Sequence, residues 1–136
     1  MKIMALDIGD RWVGTAISDP LKMFARPYKT VRAHELEIFI KETIKSESII
    51  IIVVGHPKTM RGTESEQTKK IVYEKEKLEK IFPCIKWVLW DERLTSKMAT
   101  GLKKEKTKED KIKSHSIAAA LILDSYLSYL QSQKNM

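Results

Sequence analysis

The sequence predicts an α/β protein built on a mixed sheet, and two patterns support this fold class. Three short apolar runs precede residue 33, and turn residues separate them, as in consecutive β-hairpins. Beyond residue 33, amphipathic stretches of helical period alternate with apolar runs. Strands separated by helices pair in parallel through crossover connections. We therefore expect a mixed five-stranded sheet, with its first three strands antiparallel and helices on both faces.

The first three strands are predicted at Ile3–Leu6, Trp12–Ile17 and Phe24–Val31. The third contains Pro27, which lacks a backbone donor and favours an edge position. The first ends in Asp7. A carboxylate at the inner end of a buried strand is costly unless it is compensated. Asp7 is therefore expected either to have a structural role, in a salt bridge or a turn, or to bind a metal ion.

The second half of the chain supplies helices and two further strands. A helix is predicted over Ala33–Ser46, because Leu36, Phe39, Ile40, Thr43 and Ile44 form one apolar stripe. Residues Ser48–Val54 are apolar on both faces, which is typical of a parallel strand covered on both sides.

The remaining elements follow from stop signals and apolar runs. A helix whose N-terminus is capped by Thr63 or Ser65 is predicted to end at Phe82, before Pro83, and to bury Ile71, Leu78, Ile81 and Phe82. A strand at Ile85–Trp90, a short helix at Thr95–Leu102 and a last helix at Ile112–Gln131 complete the order.

Composition narrows the class of protein. The 136 residues are predicted to form one domain, 1–136, and a lone cysteine favours a reducing compartment, hence a cytoplasmic location. The longest aliphatic run, Ile49–Val54, is far below the ~20 residues of a membrane helix, so no membrane partner is expected.

The net charge of +7 is concentrated in residues 97–113, which hold seven lysines against three acids. This segment is either a phosphate-binding surface or a solvated loop. The candidate nucleic-acid contacts are Lys58, Arg61, Lys103, Lys104 and Lys106.

Polar residues end three of the predicted strands. They are Asp7, then Gly55 and His56, and finally Asp91 and Glu92. In open α/β sheets, sites form where the carboxyl ends of the strands meet. Asp7 and one of the last two acids are therefore expected at one rim. The alternation of side chains along a strand does not choose between Asp91 and Glu92.

Four ordered motifs span almost the whole chain: LDIGDRWVGTAISDP, VVGHPKTMRGTESEQ, WDERLTS and SIAAALILDSYL. In this order and spacing they resemble the YqgF/RuvX family of ribonuclease H-like proteins. Members of that family are described as similar to Holliday junction resolvases and as nucleases that trim the precursor of small-subunit ribosomal RNA. The resemblance implies a ribonuclease H-like fold and a nuclease site that uses divalent metal.

The resemblance also implies the site residues: Asp7, Glu92 and position 115, as catalytic groups and metal ligands. Where the family has aspartate, this chain has His115. On a helix, His115 shares a face with Ala118, Ala119 and Ile122, whereas Asp124 points the opposite way and Asp110 is expected in a loop. His115 is therefore either a ligand, which would shift preference from Mg²⁺ toward Mn²⁺, or an inert histidine at the helix start.

The predicted activity is metal-dependent phosphodiester hydrolysis, with RNA favoured as substrate and branched DNA as the alternative. A resolvase needs a symmetric dimer to cut two strands. No dimer face stands out in the sequence, so we expect a monomer or weak homodimer that processes ribosomal RNA. A non-catalytic nucleic-acid-binding module is a second alternative. An actin-like ATPase, suggested by Asp7-Ile8-Gly9, is disfavoured because such proteins build their cleft from two domains.

Overall fold

A computed structural model describes residues 1–57, 66–92 and 108–134, and in this part of the chain five strands form one sheet. The strands are β1 (Lys2–Ile8), β2 (Trp12–Ser18), β3 (Ala25–Arg32), β4 (Ile49–His56) and β5 (Lys86–Asp91), in the order β3-β2-β1-β4-β5. β1 pairs antiparallel with β2, and β2 with β3. β4 pairs parallel with β1 and with β5. The predicted mixed sheet is confirmed, with the Pro27 strand at its edge.

Helices cover both faces of this sheet. After a 3₁₀ turn at Ala33–Glu35, α1 (Leu36–Ser46) and α2 (Glu66–Ile81) lie on one face. They bury Leu36, Ile40, Ile71 and Leu78 against even-numbered residues of β1 and β4. The long helix α3 (Lys108–Lys134) covers the other face and packs on odd-numbered residues of the same strands. The two faces therefore have separate apolar cores.

Two details of the prediction were wrong. Helix α3 begins at Lys108, so Asp110 lies in its first turn and not in a loop. Lysine and glutamate favour helix, and the segment extends the helix N-terminally. Ile81, predicted to be buried, is 41% exposed. It lies ten residues after Ile71, which places it about 80° round the helix from the buried stripe.

Other local expectations had mixed outcomes. The Asp19 carboxylate accepts hydrogen bonds from the N–H groups of Met23 and Phe24 in the connection between β2 and β3. The short helix predicted at Thr95–Leu102 and the candidate caps Thr63 and Ser65 lie outside the described residues. Within the described ranges, no helix is long and apolar enough to cross a bilayer.

Candidate active site

The alternation of side chains assigns three strand ends to the α3 face of the sheet. On β1, Ile3 and Ala5 pack against α3, so Asp7 continues the same face. On β5, Val88 and Trp90 pack there, and Glu92 follows immediately after the strand. Asp91 instead alternates with Trp87 and Leu89, which face α1 and α2. Glu92 therefore lies on the face that meets α3 and Asp91 on the opposite face, a distinction that the sequence pattern left open.

Helix α3 brings His115 to Asp7 by resting directly on a glycine. Gly14 on β2 pairs with Asp7 on β1. A Cβ atom on Gly14 would collide with the backbone carbonyl of His115, so only glycine admits the helix this closely. Nδ1 of His115 then lies 3.5 Å from Oδ2 of Asp7. Both side chains keep some access to solvent, 31% for His115 and 24% for Asp7.

A second glycine makes room for Glu92. A Cβ atom on Gly55 of β4 would lie 2.5 Å from Oε1 of Glu92 and 2.6 Å from Cδ1 of Ile122. The Glu92 carboxylate therefore lies over β4, the strand between β5 and the strand of Asp7. Burial, with the charges of Asp7 and then Asp91, raises the pKa of Glu92 from 4.5 to about 7. Within the described residues no cation pairs with this carboxylate.

The donor chemistry of these side chains fits a divalent cation. Carboxylates are the ligands of Mg²⁺, and an imidazole suits Mn²⁺ and other transition metals. Neighbouring ligands of one ion lie about 3 Å apart when each is about 2.1 Å from it, close to the spacing of Asp7 and His115. As the side chains stand, however, no three His, Cys, Asp or Glu groups among the described residues surround a single ion.

The other candidates fall in different places. Asp124 is exposed on the far side of α3, as expected. Asp10 is in the β1–β2 turn and pairs with Lys70 of α2 at 3.5 Å. The predicted nucleic-acid contacts all lie outside the described residues: Lys58, Arg61, Lys103, Lys104 and Lys106.

Sequence analysis missed the two glycines on which this geometry depends. Gly14 interrupts an apolar strand, and Gly55 ends another. A glycine inside a strand pattern often marks a close approach by another backbone. That signal was present in the sequence at Gly14.

The strand order, with helices on both faces of the sheet, defines a fold class, the ribonuclease H-like fold. The chain is similar to the solved structure of Thermus thermophilus RuvC in complex with a Holliday junction substrate, with a TM-score of 0.67 over 98% of this chain and 96% of that one, at 13% identity. A second structure of Thermus thermophilus RuvC gives a TM-score of 0.60 over 97% of both chains, at 11% identity. At these identities the similarity establishes the fold.

The family follows from sequence comparison. A family model described as "RuvX: Holliday junction resolvase" matches residues 1–129. A relative from Rubrobacter xylanophilus is 35% identical over 127 residues, which cover 93% of this chain and 91% of that protein. One from Phocaeicola vulgatus is 39% identical over 132 residues, covering 93% and 94%. Both are named "Putative pre-16S rRNA nuclease". The chain belongs to the RuvX family, which confirms the resemblance found in its motifs.

Proposed function

We propose that this protein is a metal-dependent nuclease that hydrolyses phosphodiester bonds at the 5′ end of precursor 16S ribosomal RNA. The observation that carries the proposal is the convergence of Asp7 and His115, whose side chains meet at 3.5 Å although they lie 108 positions apart in the chain. Glu92, reaching across Gly55 on the same face, adds a second carboxylate. The names of the 35–39% identical relatives support the choice of activity and substrate.

In this proposal Asp7 and Glu92 hold Mg²⁺ or Mn²⁺. The bound cation would lower the pKa of an attacking water and neutralise charge that develops on the phosphate. The raised pKa of Glu92 supports the assignment, because a carboxylate that ionises with difficulty beside other acids is stabilised by a cation.

His115 has one of two roles. Its Nδ1 faces Asp7, so the imidazole is positioned either to complete the ligand set or to hold and move a proton beside the phosphate. In either case the ring lies against the Asp7 carboxylate.

The substrate is assigned to RNA, and junction DNA is the second candidate because the family description and the RuvC neighbour name it. The basic segment 97–113, with Lys58 and Arg61, is proposed to contact the phosphate backbone. Processing of ribosomal RNA would place the protein in the cytoplasm and in ribosome biogenesis. It requires no symmetric dimer, so a monomer or weak homodimer suffices.

The test is cleavage by the purified full chain with Mg²⁺ or Mn²⁺, on an RNA that carries the precursor 5′ extension and on a four-way DNA junction. Wild type, Asp7→Asn and His115→Ala are compared, with Asp124→Asn as the matched control on the exposed side of α3. We expect RNA cleavage that Asp7→Asn abolishes and Asp124→Asn preserves. Cutting of the junction alone would assign the resolvase activity. Binding without cleavage of either substrate would leave only the non-catalytic module.

A further inference from the structure

Beside the site, three aromatic side chains form a cluster between β5 and α3. Trp90 contacts Tyr126 edge to face, with ring centroids 5.3 Å apart, and lies 5.4 Å from Tyr129. The indole N–H of Trp90 donates to Oγ of Ser125 at 3.1 Å, which fixes the plane of the ring. The cluster is therefore held in one arrangement by contacts on two sides.

The members of the cluster differ in exposure. Tyr126 is 3% exposed and belongs to the core beneath α3. Tyr129 is 46% exposed, although it touches the same indole. Burial in the apolar core explains the position of Tyr126. It does not explain Tyr129, because nearly half of the surface of that residue packs against nothing in the described structure.

The cluster adjoins the proposed catalytic carboxylates. Trp90 lies two residues before Glu92 and directs its side chain to the same face of the sheet. Tyr129 lies seven residues after Ile122, whose Cδ1 shares the space over Gly55 with Glu92. Seven helical residues rise about 10 Å, the length of roughly three stacked nucleotides. β5 is the last strand of the described sheet on this side, and Tyr129 contacts its Trp90.

Positive charge is available on the same face of the sheet. Lys86 is exposed and lies on the same face of β5 as Val88 and Trp90. Sites for single-stranded nucleic acid combine aromatic rings, on which bases stack, with cationic side chains that contact the phosphates.

We propose that Tyr129, supported by Trp90, is a stacking platform for an unpaired base of the RNA strand a few nucleotides from the scissile phosphate. This deepens the proposed nuclease function and rests on it. A platform of this kind selects single-stranded RNA, because the bases of a duplex are already stacked on one another.

The experiment measures binding without cleavage. The full chain is titrated in EDTA with labelled short oligoadenylate, and separately with an RNA duplex of equal length. We expect Tyr129→Leu to weaken oligoadenylate binding about tenfold and to leave duplex binding unchanged, whereas Tyr129→Trp retains both. Tyr73→Leu is the matched control, since Tyr73 is a 66% exposed tyrosine on α2.

Either of two results would overturn the platform: normal oligoadenylate binding by Tyr129→Leu, or an equal loss from Tyr129→Trp accompanied by a lower melting temperature, which would indicate packing. The outcome is separable from that of the nuclease. If wild type cleaves no RNA but Tyr129→Leu weakens binding of oligoadenylate and not of duplex, the proposed stacking platform is supported and the proposed nuclease function is not. If wild type cleaves RNA and Tyr129→Leu binds oligoadenylate as wild type does, only the stacking platform is contradicted.

Discussion

The two faces of the sheet differ in the residues that the ends of β4 and β5 present. On the α1 and α2 face, β4 and β5 end in His56 and Asp91, next to a core of large aliphatic side chains. On the α3 face, the corresponding positions are Gly55 and Glu92, beside Asp7. Two glycines on this second face make room for other groups: Gly55 for the Glu92 carboxylate, and Gly14 for the backbone of α3 at His115. The comparison shows that the candidate site residues lie on the face where glycines, and not large aliphatic side chains, occupy the strand positions.

The largest expected effect is a difference in cleavage rate between variants of two neighbouring acids, Glu92 and Asp91, which lie on opposite faces of the sheet. Glu92→Gln removes a proposed metal ligand and should lower the cleavage rate about a thousandfold, equivalent to about 4 kcal/mol of activation free energy. Asp91→Asn changes the adjacent acid on the other face and should retain the rate within several-fold. Single-turnover cleavage of the precursor RNA measures both. Equal losses would remove the distinction between the faces.

A smaller effect is expected in the free energy of unfolding, which should differ between variants of Gly14 and Gly55. Gly14→Ala drives a Cβ atom into the backbone of α3 at His115, so we expect a loss of about 3 kcal/mol in the free energy of unfolding. Gly55→Ala meets only the ends of two flexible side chains and should cost about 1 kcal/mol while displacing Glu92. Urea unfolding gives the stabilities, and cleavage should fall in both variants. A fully active Gly55→Ala protein would contradict the placement of Glu92.

The third prediction concerns pH. Because the folded pKa of Glu92 is raised from 4.5 to about 7, the folded protein binds more protons than the unfolded chain between these values. The stabilising effect of protonation is present below about pH 4.5 and is lost as the pH rises to about 7. The loss is on the order of 3 kcal/mol.

Urea unfolding in EDTA at about pH 5 and about pH 8 measures this loss. Glu92→Gln should be the more stable protein at the higher pH and should show a flatter profile. Identical pH profiles for wild type and Glu92→Gln would show that burial of the Glu92 carboxyl does not affect the free energy of unfolding. Added Mn²⁺ should restore stability to wild type at the higher pH, where the carboxylates are ionised.

The smallest expected effect belongs to the ion pair between the β1–β2 turn and α2. Asp10 and Lys70 meet at 3.5 Å, but their side chains are 78% and 60% exposed. Exposed pairs contribute little, so Asp10→Asn should change the free energy of unfolding by less than about 0.5 kcal/mol. Cleavage should be unchanged, although Asp10 lies only three residues from Asp7. A large loss of activity would extend the site to this turn.

Much of the fold could be predicted, because its signals are local. Turn residues separate the first strands, and the apolar period changes where strands give way to helices. Errors arose at helix ends: one extra turn placed Asp110 in a helix, and its position round the helix left Ile81 exposed. The site was predicted less completely. Gly14 and Gly55 were missed because they carry no charged or reactive side chain that would mark them as site residues.

The sequence by itself determined the order of elements, the family and the presence of Asp7 at the end of a buried strand. The tertiary structure alone decided which face of the sheet carries the candidate site residues, how closely His115 approaches Asp7 and how far the pKa of Glu92 rises. The reason is physical. Alternation along a strand relates the side chains of that strand to one another, whereas the pairing of strands and the path of α3 across Gly14 decide which side chains from different strands meet.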